Sequence, residues 1–179
     1  MKRLIIKIWF LWESVFEMLA GIHPVPGGFF RIAVRKYRGS RLIFKDGTVL
    51  NPGDKYGELH LDNRFFAMLS EKNGSPTFLG LSSLREATKA LSALKEYAES
   101  NPLLKNVKVF MGYTLINRGI TRLGFEVRDI NSGFIRNVVS WYEKILLAIL
   151  HPGGLKRIAS KKLVSKQIFI TKKSLEKLY

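Results

Sequence analysis

Three polar residues at two-residue spacing form the clearest chemical pattern in the sequence. Glu58, His60 and Asp62 lie in the segment GDKYGELHLDN at residues 53–63. Alternate residues of a strand point to one face, so the sequence predicts that these side chains share a face. As candidate catalytic residues they would support acid–base chemistry, or they would bind a divalent metal such as zinc. An edge strand with one solvated face gives the same alternation for structural reasons alone, and this interpretation stays open.

A second polar face is predicted on residues 121–128, TRLGFEVR. This segment is expected to form a β-hairpin with residues 107–116, joined by a turn at Asn117-Arg118-Gly119. Two arginines on one face would bind phosphate or carboxylate through paired hydrogen bonds. A surface ladder of Arg and Glu pairs would give the same pattern. The candidate ligand-binding residues of this face are Arg122, Glu126, Thr114 and Arg128.

The cysteine and histidine content restricts the possible chemistry. The chain has no cysteine, which excludes disulfides, thiolate metal clusters and a cysteine nucleophile. Besides His60, the histidines are His23 and His151, and each precedes a proline at a predicted turn. The glycine motifs of dinucleotide and P-loop sites are missing from the sequence. The sequence therefore identifies no metal and no cofactor.

The formal net charge of +16 is concentrated at the two ends of the sequence. Residues 1–45 carry +7, residues 46–100 carry −2, residues 101–152 carry +4, and the basic C-terminal segment 153–179 carries +7. Such a field favours phosphate-bearing partners, among them anionic lipid and nucleic acid. Nucleic acid is the less expected partner, because no helix-turn-helix, zinc finger or aromatic strand motif is visible.

Residues 1–21 are predicted to form an amphipathic helix. Charged residues interrupt the segment, so it fits neither a transmembrane span nor a signal peptide. Its apolar arc either packs on the core of the domain or lies at the surface of a lipid bilayer, and both interpretations stay open. In the second interpretation the membrane-surface residues are Lys2, Arg3, Trp9 and Trp12.

The remaining elements indicate one α+β domain over residues 1–179, with a mostly antiparallel sheet and interleaved helices. Strands are predicted at residues 29–37, 41–45, 56–62, 107–116, 121–128 and 167–170. Helices are predicted at residues 64–72, capped by Asn63, at 83–99, opened by a capping box of Ser83 and Glu86, at 136–150, and after Thr171.

Three blocks of sequence resemble a known family. They are YRGSRLIFKDGTVLNPGDKYGELHLDN at residues 37–63, GYTLINRGITRLGFEVRD at 112–129 and QIFITKKSLEKLY at 167–179. The chain is similar over nearly its whole length to the YkoP-like domain of Firmicutes, which stands alone or is joined to a polysaccharide deacetylase domain. The resemblance implies a setting in cell-envelope polysaccharide or glycolipid metabolism, with a polysaccharide deacetylase as a possible partner. The metal-binding motif of the deacetylases is missing, so we expect no deacetylase activity.

These patterns together predict a protein at the cytoplasmic face of the cell membrane. Its basic ends and first helix would engage anionic lipid. A polar pocket would hold an anionic lipid headgroup or sugar-phosphate, and its predicted residues are Glu58, His60, Asp62, Arg122 and Glu126. One alternative is a small transferase or hydrolase that modifies glycolipids with His60. Another is a module that binds RNA or a different polyanion.

Overall fold

The computed structural model describes residues 2–73, 75–115, 119–130, 133–150 and 164–179. They form a six-stranded sheet with helices on both faces and a separate two-stranded hairpin. The predicted α+β class is confirmed. The helices are α1 (Lys2–Leu19), α2 (Asn63–Asn73), α3 (Pro76–Ser100), α4 (Gly133–Leu150) and α5 (Lys172–Leu178). The strands are β1 (His23–Pro24), β2 (Phe30–Lys36), β3 (Leu42–Ile43), β4 (Val49–Leu50), β5 (Lys55–Leu61), β6 (Val109–Thr114), β7 (Glu126–Arg128) and β8 (Lys166–Thr171).

The strands of the large sheet follow the order β1-β2-β5-β6-β8-β7. Strands β5 and β6 run parallel, whereas every other neighbouring pair of the described sheet is antiparallel. Parallel neighbours need a long crossover connection. Helices α2 and α3 supply it, and α3 buries Leu91 and Leu94 in the main core together with Leu59 and Phe110.

The other face of the sheet has two covers. The β3–β4 hairpin places Phe44 and Leu50 in a second core cluster with Met111 and Phe169. Helices α1 and α4 lie over the adjoining part of this face, where β5 carries polar side chains. This face of the sheet is therefore mostly apolar under the hairpin and polar under α1 and α4.

The predicted hairpin of residues 107–116 with 121–128 is wrong. Strand β8 lies between β6 and β7, so that Phe169 pairs with Met111 on one side and with Glu126 on the other. The residues Ile168–Ile170 are a continuous buried run, which is typical of a central strand with neighbours on both sides. Before β7 the chain makes a 3-10 turn at Ile120–Leu123, and Gly124 ends it with φ of 82°. This turn takes the place of the first half of the predicted strand.

The predicted start of α3 and the predicted capping residue of α2 are wrong, whereas the predicted capping residue of α5 is confirmed. Helix α3 begins at Pro76, because proline fits the first helical position, and Ser83 therefore lies inside the helix. Asp62 rather than Asn63 caps α2: its Oδ1 accepts hydrogen bonds of 2.9 Å from the backbone N–H groups of residues 64 and 65. Thr171 caps α5 as predicted, by accepting from the N–H of Ser174.

Candidate functional site

Helix α1 turns its acidic residues toward the protein. Glu13 and Glu17 are only 6% and 9% exposed. Glu17 forms an ion pair of 3.0 Å with Arg31 of β2, and Glu13 accepts a hydrogen bond from the Asn63 side-chain amide. Arg64 of α2 donates hydrogen bonds to the backbone carbonyl of Phe10 and to the hydroxyl group of Ser14, both on α1. We call the side of α1 that carries Glu13, Ser14 and Glu17 its polar arc, and this side is the docking face of the described part of the helix.

The opposite side of α1 presents large apolar side chains to solvent. The described members are between 47% and 79% exposed, and they are Ile8, Leu11, Trp12, Val15, Phe16, Met18 and Leu19. The interpretation in which this arc packs on the core of the domain is contradicted for these residues, although Phe10 of the same helix packs against a core cluster. Docking by the polar arc leaves the apolar arc unpartnered within the described part of the chain.

Helix α4 extends the same surface. Its Val138, Trp141 and Tyr142 are also exposed, and Trp141 is 68% accessible. The rings of Trp9 and Tyr142 lie 6.0 Å apart, which places the two helices side by side. We call the exposed residues of α1 and α4 together the apolar face.

A cavity of about 560 Å³ opens between α1, α4 and the edge of β5 and β6. The strands supply Glu58, His60 and Tyr113, and the helices supply aromatic side chains that also belong to the apolar face. This volume is typical of sites for small molecules. The aromatic residues at its opening are Trp12, Phe16, Trp141 and Tyr142. We call this space the interhelical cavity.

Four glutamates line the interhelical cavity: Glu13, Glu17, Glu58 and Glu143. Burial raises the pKa of Glu143 to about 7, although the Ser165 hydroxyl and the backbone N–H of Leu115 donate to its carboxyl group. Burial also raises the pKa of Glu13, and the nearby charge of Glu17 adds to the effect. Glu143 is therefore about half protonated near pH 7, and it could act as an acid there.

Glu58 has the opposite electrostatic character. Its Oε2 lies 3.5 Å from His60 Nε2 and 3.2 Å from Arg35 Nε. Contact with the imidazole, followed by the charge of Arg35, holds the pKa of Glu58 below its ordinary value despite burial. The cavity thus contains two glutamates with opposite pKa shifts: Glu58, whose pKa is lowered, and Glu143, whose pKa is raised to about 7.

Asp62, the third residue of the predicted catalytic set, is occupied by structural contacts and is not among the residues that line the interhelical cavity. It directly follows β5, and its backbone N–H donates to the carbonyl of Phe29 beside β2. The Asp62 carboxylate caps α2 with one oxygen and pairs with Arg31 at 2.5 Å with the other. Among the described residues, no group of three His, Asp or Glu side chains is arranged to bind a metal ion.

The predicted ligand-binding residues are divided between two places. Thr114 lines the interhelical cavity, and Arg122 lies on the 3-10 turn before β7. Glu126 and Arg128 pair with each other at 3.2 Å, and the Arg128 guanidinium lies 4.9 Å from the centre of the Phe44 ring. Glu126 shares a face of the sheet with Glu58, but three strand spacings, about 14 Å, lie between them. The predicted pocket of five residues is therefore not formed.

The predicted membrane-surface residues differ from one another in exposure. Trp12 is 51% exposed on the apolar face, whereas Trp9 is half-buried, with its ring against those of Trp12 and Tyr142. The side chains of Lys2 and Arg3 lie outside the described residues, as does most of the basic segment before β8.

The sequence interpretation missed Glu143 and the aromatic residues of α4. A signal was present, because Glu143 is the single acidic residue in the apolar stretch VVSWYEKILLAIL. Its helical neighbours Val139 and Leu146 line the same cavity. An isolated acid on an apolar helix face is an indication of a buried or functional carboxyl group.

The described helices include none that is both long enough and apolar enough to cross a membrane. A protein-family model described as the YkoP domain matches residues 2–179. The protein named "Uncharacterized protein YkoP" from Bacillus subtilis (strain 168) is 26% identical over 184 residues, which cover 100% of this chain and 98% of the relative. No solved structure matches the chain significantly. Since the family model matches nearly the whole sequence, the chain belongs to the YkoP domain family.

Proposed function

We propose that this is a peripheral membrane protein that places its apolar face on an anionic lipid surface and receives a membrane-borne headgroup in the interhelical cavity. The orientation of α1 carries this proposal. An amphipathic helix that buries two glutamates and exposes a row of apolar side chains has its ordinary arrangement reversed. A lipid interface restores the favourable burial of that row.

Two further properties support a membrane as the partner. Tryptophan and tyrosine favour the boundary between water and lipid, and the apolar face contains Trp12, Trp141 and Tyr142. The formal charge of +16 attracts anionic lipid, with about 1 kcal/mol for each Lys or Arg that comes close to the surface. Apolar insertion and charge attraction would therefore act together.

We further propose a setting in cell-envelope polysaccharide or glycolipid metabolism at the inner face of the membrane, with a polysaccharide deacetylase as a possible partner. A sugar headgroup fits the chemistry of the cavity. Aromatic rings such as Trp12 and Trp141 stack on apolar sugar faces, while Glu58 and Glu143 accept hydrogen bonds from hydroxyl groups. A phosphate group would meet carboxyl groups there, so we place its contacts at the basic surface outside the cavity.

A small glycolipid-modifying transferase or hydrolase is the second candidate. It is favoured by the two glutamates whose pKa values are shifted in opposite directions, Glu58 downward and Glu143 upward. Such a pair is typical of sites where one carboxyl group acts as acid and the other as base or nucleophile. In this candidate His60 orients Glu58 or exchanges a proton with it. Turnover of a lipid-linked sugar, as opposed to its retention, distinguishes the enzyme from the binding protein.

Vesicle flotation tests the membrane proposal. Vesicles of phosphatidylglycerol and phosphatidylcholine are compared with phosphatidylcholine alone, at low and high salt, with RNA as a competitor. We expect binding to the anionic vesicles that survives RNA. A half-exposed tryptophan has on the order of 100 Å² still to bury, about 2.5 kcal/mol. Trp12→Ala combined with Trp141→Ala is therefore expected to weaken binding at least tenfold.

The matched control is Leu103→Ala. Leu103 is 60% exposed on the 3-10 turn that follows α3, outside the apolar face, and its replacement should leave flotation unchanged. Equal flotation of the double variant and the wild-type protein would overturn the membrane proposal. Flotation that RNA abolishes would favour the module that binds polyanions.

A further inference from the structure

The charged side chains that line the interhelical cavity are acidic, although the protein as a whole is strongly basic. Four of the 14 Asp and Glu residues of the chain line it. No Lys or Arg is among its lining residues in the described part of the chain, although the sequence contains 30 of them. Among the described residues, Arg31 and Arg35 of β2 pair with Glu17 and Glu58, the charge of Arg64 acts on Glu13, and Glu143 has no ion pair. An anionic ligand is disfavoured in this space, and a cation is favoured.

The opening of the cavity adds an independent preference for cations. Trp12 and Phe16 stack with ring centres 5.5 Å apart and an angle of 12° between their planes, and both side chains line the cavity. Trp141 and Tyr142 contribute further rings from α4. Aromatic faces attract ammonium groups, most strongly when water is excluded, and quaternary ammonium ligands are commonly held in this way.

We propose that the interhelical cavity binds an ammonium group, which lies against the aromatic rings of the opening and pairs with Glu143. This inference rests on the proposed function, since it names the chemical class of the headgroup that the membrane-bound protein receives. An ammonium group is carried by amino-lipid headgroups and by amino sugars. The cavity recognises the feature that both share.

Ion pairing explains how the ligand would alter the cavity. A cation close to Glu143 favours its carboxylate form, and binding therefore lowers the pKa of this group from about 7. The affinity for the ammonium ligand should rise between pH 6 and pH 8, because the Glu143 carboxyl group loses its proton in the free protein over this range. Among the described residues, the other titratable groups that line this space are Glu13 and Glu17 of α1, Glu58 and His60 of β5, Tyr113 of β6 and Tyr142 of α4. The charged groups that act on these carboxylates are Arg31 and Arg35 of β2 and Arg64 of α2.

The chain offers a direct reporter for this site. It has three tryptophans, Trp9, Trp12 and Trp141, and all three lie on α1 or α4. Their indole N–H groups give three signals in a proton–nitrogen NMR spectrum, which replacement of each tryptophan by phenylalanine assigns. Choline is titrated first, and its uncharged isostere 3,3-dimethylbutan-1-ol second. We expect choline to shift the signals of Trp12 and Trp141 saturably, with at least tenfold higher affinity than the isostere.

Glu143→Gln and Glu126→Gln form the variant pair. The first removes the proposed partner of the cation and should weaken choline binding at pH 8 at least fivefold, with loss of the pH dependence. The second removes a carboxylate of β7 that lies outside the cavity and should change neither. Equal affinity for choline and the isostere, or no shift with either, would overturn the inference.

Two further arms distinguish the sources of the ammonium group. Glucosamine is compared with N-acetylglucosamine by the same NMR titration. Vesicles that contain phosphatidylethanolamine are compared with vesicles that contain its N-acetylated form by flotation. Preference for the charged member of either pair supports the inference and identifies the source. Choline binding without flotation would overturn the membrane proposal alone, whereas flotation without preference for the charged probes would overturn this inference alone.

Discussion

Replacement of Glu143 by glutamine should make the protein more stable at pH 8 and leave its stability at pH 5 nearly unchanged. Glu143 has a pKa of about 7 in the folded protein against an ordinary value of 4.5, a difference of about 2.5 units. One unit corresponds to about 1.4 kcal/mol, so the carboxyl group contributes a difference of about 3 kcal/mol. That is a large part of the 5–15 kcal/mol that usually separates folded and unfolded states.

The sign follows from the protons bound in each state. Between pH 4.5 and about 7 the folded protein keeps the proton of Glu143 while the unfolded chain has lost it. The free energy of unfolding therefore falls as pH rises through this interval and is level above it. Glutamine resembles the protonated carboxyl group, keeps an acceptor for the Leu115 N–H and never ionises. The variant should thus avoid the loss of about 3 kcal/mol.

Urea unfolding followed by tryptophan fluorescence at pH 5, 6, 7 and 8 measures the effect. The matched variant is Glu58→Gln, for which the opposite sign is expected. The pKa of Glu58 is lowered, so its carboxylate stabilises the fold above the unfolded pKa, and this contribution is lost as pH falls through the folded value. If the difference between wild type and Glu143→Gln stays constant from pH 5 to pH 8, Glu143 is not protonated in the fold and the reasoning about the cavity is refuted.

Two further variants test the packing that builds the site. Arg31→Ala leaves the buried carboxylates of Glu17 and Asp62 without their shared partner and should destabilise the protein by about 3 kcal/mol or more in urea unfolding. The control Lys89→Ala removes an exposed ion pair within α3 and should cost less than about 0.5 kcal/mol. A similar small cost for both would mean that α1 is not held by its polar side. Gly57→Ala places a Cβ atom 2.6 Å from Phe110 and should cost about 1–3 kcal/mol by thermal unfolding, and an unchanged melting temperature would show that the sheet is packed more loosely than described.

The sequence predicts local structure well where the determinant is local. Thr171 caps α5 because its side chain and the N–H three residues later are fixed by the same turn. The amphipathic character of α1 is equally visible, but its orientation depends on partners far along the chain. Arg31 and Asn63, which meet the glutamates of α1, cannot be identified as partners by periodicity. Hydrophobic periodicity shows that a helix has one polar and one apolar face, but it does not show which of the two is buried.

The sheet order is the other feature that local patterns fail to give. Residues 107–116 and 121–128 alternate as strands do and are separated by a turn, so pairing between them is the simplest expectation. The determinant that overrides it is the buried run Ile168–Ile170, about 40 residues later in the chain. For the same reason Glu58 and His60 were predicted together correctly from one strand, whereas Glu143 joins them only through the packing of α4 on the sheet.

The position of β8 also has a consequence for how the protein is made. During synthesis β6 and β7 are complete before β8 exists, so β6 can pair with β5 on one edge, whereas its other edge and β7 have no sheet partner until residues 166–171 have left the ribosome. Translation of the roughly 50 residues between β6 and β8 takes on the order of 3–10 s. Through that interval one edge of β6 remains open to pairing with other chains. Under the proposed membrane binding, the exposed apolar side of α1 would hold the nascent chain at the lipid bilayer before β8 completes the sheet.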